Sequence, residues 1–440
     1  MVDQRVLDLP VLVLRERLAS GAMRAIDLTE AMITRVEARG APATGFVWFD
    51  AKFARRQAAA LDAYRGRGRA IGALHGLPVA VDDAIDTAWI PTERGLAPLK
   101  GRVPEKESAI VERLRSAGAM VAGKTQVAEL GADHGNDAPS GPASEGAATA
   151  VASAVAPLGI GMDGRSSLIG AAARAGVTGY RPSFGAISRR GALDLIPTLD
   201  APGVFAPNVA GAALIAEALF GFDAADTATS LMPHPRLLEH AETAPPVVPT
   251  LAFVRTPWWD LADPQMHEAF GEVTEILGDR WFEAPLPDIF ADSRILAERV
   301  ALAEMAKNLT GMRQRHAEAL PPALHLALDG GDAILARDYL AALDWRTVLY
   351  AGLDAIFERC DAIVTPAATG LAGTGQSDGD ATAFNALWTF LGVPSVTLPL
   401  LQTAEGQPMG VQLVGRRGED GRLLRTAQWL ETLFQKEMQG

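Results

Sequence analysis

The stretch ESAIVERLRSAGAMVAGKT, residues 107–125, constrains the fold more than any other part of the chain. Ile110, Val111 and Leu114 recur at helical spacing, Gly118 stops the helix, and Met120-Val121-Ala122 follows as a strand. Similar units recur. Residues 71–87 read as a strand region, and 146–162 (GAATAVASAVAPLGIGM) and 381–404 (ATAFNALWTFLGVPSVTLPLLQTA) each read as a short helix running into a strand. CDAIVTPA (360–367) and MGVQLVG (409–415) add further strands, and Leu423, Ala427, Leu430 and Phe434 line one face of a closing helix. Helices alternating with strands predict an α/β fold with a largely parallel sheet.

Around this core the chain is organised by composition. Residues 1–70 read as N-terminal helices, with Asp27 as N-cap of the second and 52–67 as a charged, Ala-rich helix. Residues 71–207 and 356–440 form the α/β core, and 208–355, rich in Ala, Leu, Glu and Arg, read as an inserted helical cap region in a single domain. The many small residues of 141–191 imply close backbone packing.

Charge and composition exclude several function classes. A net charge of -13 with no Lys/Arg block argues against nucleic acid and anionic membranes. The apolar stretches are broken by Pro or Asn, short of the about 20 residues a membrane span needs. The single cysteine, Cys360, permits no internal disulfide, and a soluble cytoplasmic protein is expected. The seven histidines show no metal-site spacing, and His234 and His240 are expected at the surface. No phosphate-binding or dinucleotide fingerprint is present. Neither a metal nor a cofactor is expected.

Taken in order, LHGLPVAVDDAIDT, GAMVAGKTQVAEL, APLGIGMDGRSSLIGAAARAGVTGYRPSFGAISRRG, CDAIVTPA and GVPSVTLPLL…GQPMGVQLVGRRGEDGRLLRTA resemble the amidase signature family from end to end. That family comprises amide and C–N hydrolases and includes the A subunit of glutamyl-tRNA amidotransferase. The resemblance implies the amidase-signature fold, with a central mixed, mostly parallel sheet and helices on both faces, and a Ser–Ser–Lys mechanism. A lysine closing the first core strand acts as base, a bridging serine in a Gly-Gly-Ser-Ser-Gly-Gly segment relays the proton, and the serine of Asp-Thr-Gly-Gly-Ser-Ile-Arg attacks. A serine hydroxyl is a weak nucleophile until a base takes its proton, and backbone N–H groups of the glycine turn hold the oxyanion.

Residue by residue, the match fails where the chemistry lies. Asp82 stands at the lysine position, with Asp83 at the family's aspartate. Ala143 stands at the bridging serine, with Ser144 beside it. Asp163 is kept and Ser167 occupies the nucleophile position, but the preceding glycine pair has become Arg165-Ser166. Ile169 replaces the arginine after the nucleophile, and the chain between Lys124 and Gly141 is shorter than the family pattern. Successive strand side chains point to opposite faces, so Asp82 and Asp83 are not expected to converge. Losing base or nucleophile costs serine hydrolases on the order of 10⁴–10⁶ in rate.

The expectation is therefore an amidase-fold protein with a degenerate triad, acting as a non-catalytic partner, scaffold or ligand-binding homologue. The alternative is an amidase with a rearranged site that keeps Ser167. Asp82 and Arg165 are expected to form an ion pair in the old pocket. Lys124, His75, Cys360, Trp258-Trp259 and Trp388 are expected to be structural. Expected partners are a small amide-like ligand and either another protein or a second copy of the chain.

Overall fold

The computed structural model describes residues 4–127, 145–164, 166–193, 195–369 and 382–437. The chain begins with α1 (Val11–Ser20) and α2 (Ala25–Arg39), then a short strand, β1 (Phe46–Trp48), and α3 (Ala51–Gly66). Asp27 is not the N-cap of α2. It lies in the first turn, and the free N–H groups of Ala25 and Ile26 are taken instead by Asp62 of α3, at 2.8 and 3.0 Å. A carboxylate 37 residues away does the capping, which local sequence cannot reveal.

β2 (Pro78–Asp82), α4 (Ala109–Ser116), β3 (Met120–Thr125), α5 (Glu145–Ala152), β4 (Leu158–Asp163), α6 (Ser167–Ala175), β5 (Thr178–Arg181), β6 (Ala201–Ala206) and α7 (Val209–Leu219) follow. Next come α8 (Leu237–Glu242), β7 (Leu251–Phe253), α9 (Pro264–Leu277), β8 (Trp281–Glu283), α10 (Ser293–His316), α11 (Pro322–Asp332) and α12 (Ala336–Phe357). The chain returns through β9 (Ala362–Pro366), α13 (Ala383–Leu391), β10 (Ser395–Gln402), β11 (Pro408–Val414) and α14 (Asp420–Glu437). The stretch 208–355 is thus mostly helical, but it also supplies β7 and β8.

Among the described residues the strands form one sheet in the order β1-β3-β2-β4-β6-β5-β10-β11-β9-β7-β8. It is mixed, but not mostly parallel. β2 pairs in parallel with β3 and β4, and β7 with β8 and β9. The other pairings, β1·β3, β4·β6, β5·β6, β5·β10, β10·β11 and β9·β11, are antiparallel. Helix–strand alternation forces parallel pairing only where a helix crosses over between neighbouring strands. The tight β10–β11 turn, with Thr403 N–H donating to Gln407 O at 2.9 Å, makes a hairpin instead.

α5 and α6 pack on one face of the sheet over a compact cluster that includes Leu168, Ala172 and Phe205. α7 and α14 pack together elsewhere on it, and Leu423, Ala427, Leu430 and Phe434 are all buried. The small residues beneath α6 have a steric cause: a Cβ at Gly179 would lie 2.4 Å from Ala172 Cβ. That approach brings the start of α6 down onto the strand ends, where the candidate site forms.

Candidate active site

β2 hydrogen-bonds to β4 as far as the Val81–Ile160 pairing. There the Asp82 side chain extends the ladder. Met162 N–H donates to its Oδ2 at 3.2 Å and Ala84 N–H to its Oδ1 at 3.4 Å, and the residue is fully buried. Asp83 points elsewhere. Its Oδ2 accepts the N–H groups of Glu93 and Arg94 at 2.9 and 2.8 Å, and burial raises its pKa. The adjacent acids therefore serve different backbones.

Lys124, on the neighbouring strand β3, is completely buried. Its ammonium donates to Ile85 O, to Thr92 Oγ1 at 3.2 Å and to Thr87 Oγ1 at 3.4 Å. Burial lowers its pKa to about 8, against the pull of Asp83, Asp82 and Asp86. These bonds pin the loop that follows β2. Asp86 ties down the same loop through Arg94 and Arg102, at 2.8 and 2.6 Å. Burial alone would raise the Asp86 pKa, but the two guanidiniums bring it below the usual range.

The turn carrying Ser167 is built on Asp163, at the end of β4 and 1% exposed. Its Oδ1 accepts Leu168 N–H at 3.1 Å, and its Oδ2 accepts the Thr389 hydroxyl at 3.1 Å. Arg181 Nε lies 2.7 Å from the same Oδ2, an ion pair without an aligned N–H bond. Burial lowers the Arg181 pKa, opposed by Asp163. Ser166 takes a left-handed conformation, φ 65°, and Ser167 opens α6. The first N–H groups of a helix have no partner within the helix and suit a negative charge, and at α6 Asp163 takes that of Leu168. Asp163 thus holds the turn that presents Ser167 at the start of α6.

Above the turn lies a cavity of about 80 Å³, walled by Gly164, Ser166, Arg294, Glu298, Thr382 and Thr389 among others. One face of α10 (Arg294, Ala297, Glu298, Ala301) and the edge of α13 line it. Sequence reasoning missed Arg181, Thr389 and this α10 face. Only Arg181 left a signal, as the one charged residue in the strand Thr178–Arg181.

Of the expected site residues, Asp82, Asp83, Asp163, Ser166 and Ser167 lie at the ends of β2 and β4 and the start of α6. Ala143, Ser144 and Arg165 lie outside the described residues, and so do the Asp82–Arg165 ion pair and most of the shortened segment after Lys124. Cys360 is buried and its thiol is pushed up to about 11, mainly by burial. His75 and Trp388 are buried, and burial lowers the His75 pKa. His234 is exposed. Among the described residues no group of three or more His, Cys, Asp or Glu is placed to hold a metal, and no helix is long and apolar enough to cross a membrane.

The family model for amidases matches residues 27–424. The chain belongs to the amidase signature family. It is 30% identical to the A subunit of the glutamyl-tRNA(Gln) amidotransferase of Anaeromyxobacter dehalogenans (strain 2CP-C), covering 95% of each chain. Among solved structures, the amidase fold is shared with a peptide amidase from Stenotrophomonas maltophilia, at 26% identity and a TM-score of 0.83, covering 97% of each chain. A structure described as a vestigial protein complex bearing on the origins of an s-triazine catabolic enzyme superposes with a TM-score of 0.87. At 24% identity, over 96% of this chain and 98% of that one, it shares the fold.

Proposed function

We propose that this amidase-fold protein does not hydrolyse amides by the Ser–Ser–Lys mechanism and acts as a non-catalytic partner, scaffold or ligand-binding homologue. The observation that carries the reading is Asp82. At the position of the family's base it is a buried carboxylate whose oxygens accept backbone N–H groups of Met162 and Ala84. An acceptor committed to extending a β-ladder is poorly available as a base. Ala143, at the relay position, has no hydroxyl to pass a proton. Arg165, where the family has glycine, is proposed to pair with Asp82. A relative named as one subunit of an amidotransferase supports a protein partner, and the cavity beside Ser166 supports a small ligand.

The second reading is a hydrolase with a rearranged site. It is favoured by the Asp163–Leu168 bond and by Ser167 at the start of α6, which leave the nucleophile turn in place. Intact-mass analysis after treatment with a fluorophosphonate probe separates the two, on wild type and Ser167→Ala. The non-catalytic reading expects no adduct under conditions that label an active amidase stoichiometrically. An adduct on wild type that disappears in Ser167→Ala moves the conclusion to the rearranged hydrolase.

A further inference from the structure

The turn from α13 into β10, Leu391-Gly392-Val393, is met by an arginine from each of three separate elements. Arg417, between β11 and α14, donates to Leu391 O. Arg346, on α12, sets its Nη2 against Gly392, where a Cβ would lie 3.4 Å away. Arg181, at the end of β5, donates to Val393 O at 3.1 Å. Asp163 neutralises Arg181 at 2.7 Å. Among the described residues, no carboxylate pairs with Arg346 or Arg417.

Arg346 is the more unusual of the two. Its guanidinium lies over the rings of Phe184 and Phe390, 5.9 and 5.8 Å from their centres. A ring face attracts the charge but offers the in-plane N–H groups no lone pair. Among the described residues its buried Nε has no acceptor. Burial, then the charges of Arg417 and Arg181, push the Arg346 pKa down to about 10, against the pull of Glu304. Arg417 stacks on Tyr350, 4.5 Å from the ring centre, and is exposed, so the pair opens to solvent.

The acids around the pair are engaged elsewhere. Glu304 accepts Thr198 N–H at 2.9 Å and the hydroxyls of Thr198 and Tyr339. Asp354 and Glu419 face Arg416 at 3.0 and 4.0 Å, and Glu419 also meets Arg422 at 3.1 Å. Asp420 takes the hydroxyls of Tyr180 and Ser183, each at 2.6 Å. Asp226 holds Arg189, whose guanidinium covers Phe184. Two guanidiniums that repel one another and share no carboxylate are held together best by an anion between them. We propose that Arg346 and Arg417 form a binding site for an oxyanion of the phosphate class, separate from the cavity beside Ser166. Two positive charges favour a dianion over a single carboxylate, and the guanidinium fork matches phosphate oxygens.

Isothermal titration calorimetry of the full chain with potassium phosphate, against potassium chloride at matched ionic strength, tests this. Wild type is expected to bind phosphate saturably and chloride not at all. Arg346→Gln and Arg417→Gln are each expected to weaken phosphate about tenfold or more, the loss of a charged hydrogen bond. Arg417→Lys, which keeps the charge without the fork, is expected to fall between wild type and Arg417→Gln. Circular dichroism identifies the folded variants, and the exposed Arg417 carries the test if Arg346→Gln does not fold. Phenyl phosphate binding more tightly than phosphate would identify a phosphoryl group on an organic body as the ligand, and equal binding would identify free phosphate. A wild type that binds neither overturns the proposal. So does binding that the folded variants retain in full, or binding lost in Arg294→Gln, in the wall of the cavity beside Ser166, and kept in Arg417→Gln.

Discussion

Ser166 shows how one backbone angle shapes the turn into α6. The turn into α6 requires φ 65° at that position, a conformation that costs an L-residue about 1–2 kcal/mol and glycine almost nothing. This chain has serine there, and Asp163 holds the turn by accepting Leu168 N–H from the other side. Ser166→Gly is therefore expected to stabilise the protein by about 0.5–1 kcal/mol, the relief of strain less the added freedom of the unfolded chain. Urea unfolding measures it, and a loss of stability would show that the serine hydroxyl matters more than the backbone. The places of Asp82 at a strand end and of Ser167 at a helix start were legible in the sequence through the resemblance. Thr389 was not, because it reaches Asp163 across 226 residues.

At the scale of elements, the loop after β2 is fastened by several independent contacts. Lys124, Asp86, Arg94 and Arg102 fasten it from within, and its backbone is clamped to the loop between β5 and β6. Asp86 N–H donates to Gly191 O at 2.9 Å, and Leu193 N–H to Ala84 O at 2.8 Å. Gly191 has φ 78°, and a Cβ there would fall 2.7 Å from Ser108 Cα. Gly191→Ala is expected to cost about 2 kcal/mol or more, from left-handed strain plus a clash against backbone. Thermal unfolding would report it, and a neutral result would mean that the clamp yields easily. Single elements such as α4, β3 and α14 were legible because their periodicity is local. Strand direction was not, since β10 and β11 pair through a hairpin whose partners on either side, β5 and β9, come from distant segments.

For the whole molecule, the buried ammonium of Lys124 sets a pH signature. Its folded pKa is about 8, against an ordinary lysine value of 10.5. Between those values the unfolded chain binds more protons than the folded one, so stability rises with pH through that window. Below pH 8 the full cost of burying the charge is present. The difference across the window is on the order of 3 kcal/mol, about 1.4 kcal/mol for each unit. Urea unfolding between pH 7.5 and 10 is expected to show this rise in wild type and a flatter profile in Lys124→Met. Parallel profiles for the two proteins would mean that Ile85 O, Thr87 and Thr92 fully replace the lost hydration.

The sequence alone determined the α/β class and the amidase resemblance. Those features are carried by local periodicity and by residue identity at aligned motifs, and both are linear. Only the tertiary structure decided that Asp82 completes a ladder to Met162, that Asp62 caps α2, that Lys124 is sealed inside, and that Arg181 and Thr389 brace Asp163. Each of these is a contact between residues far apart in the chain. Burial then raises the cost of leaving such a group unpaired, and no pattern along the sequence states which partner will meet it.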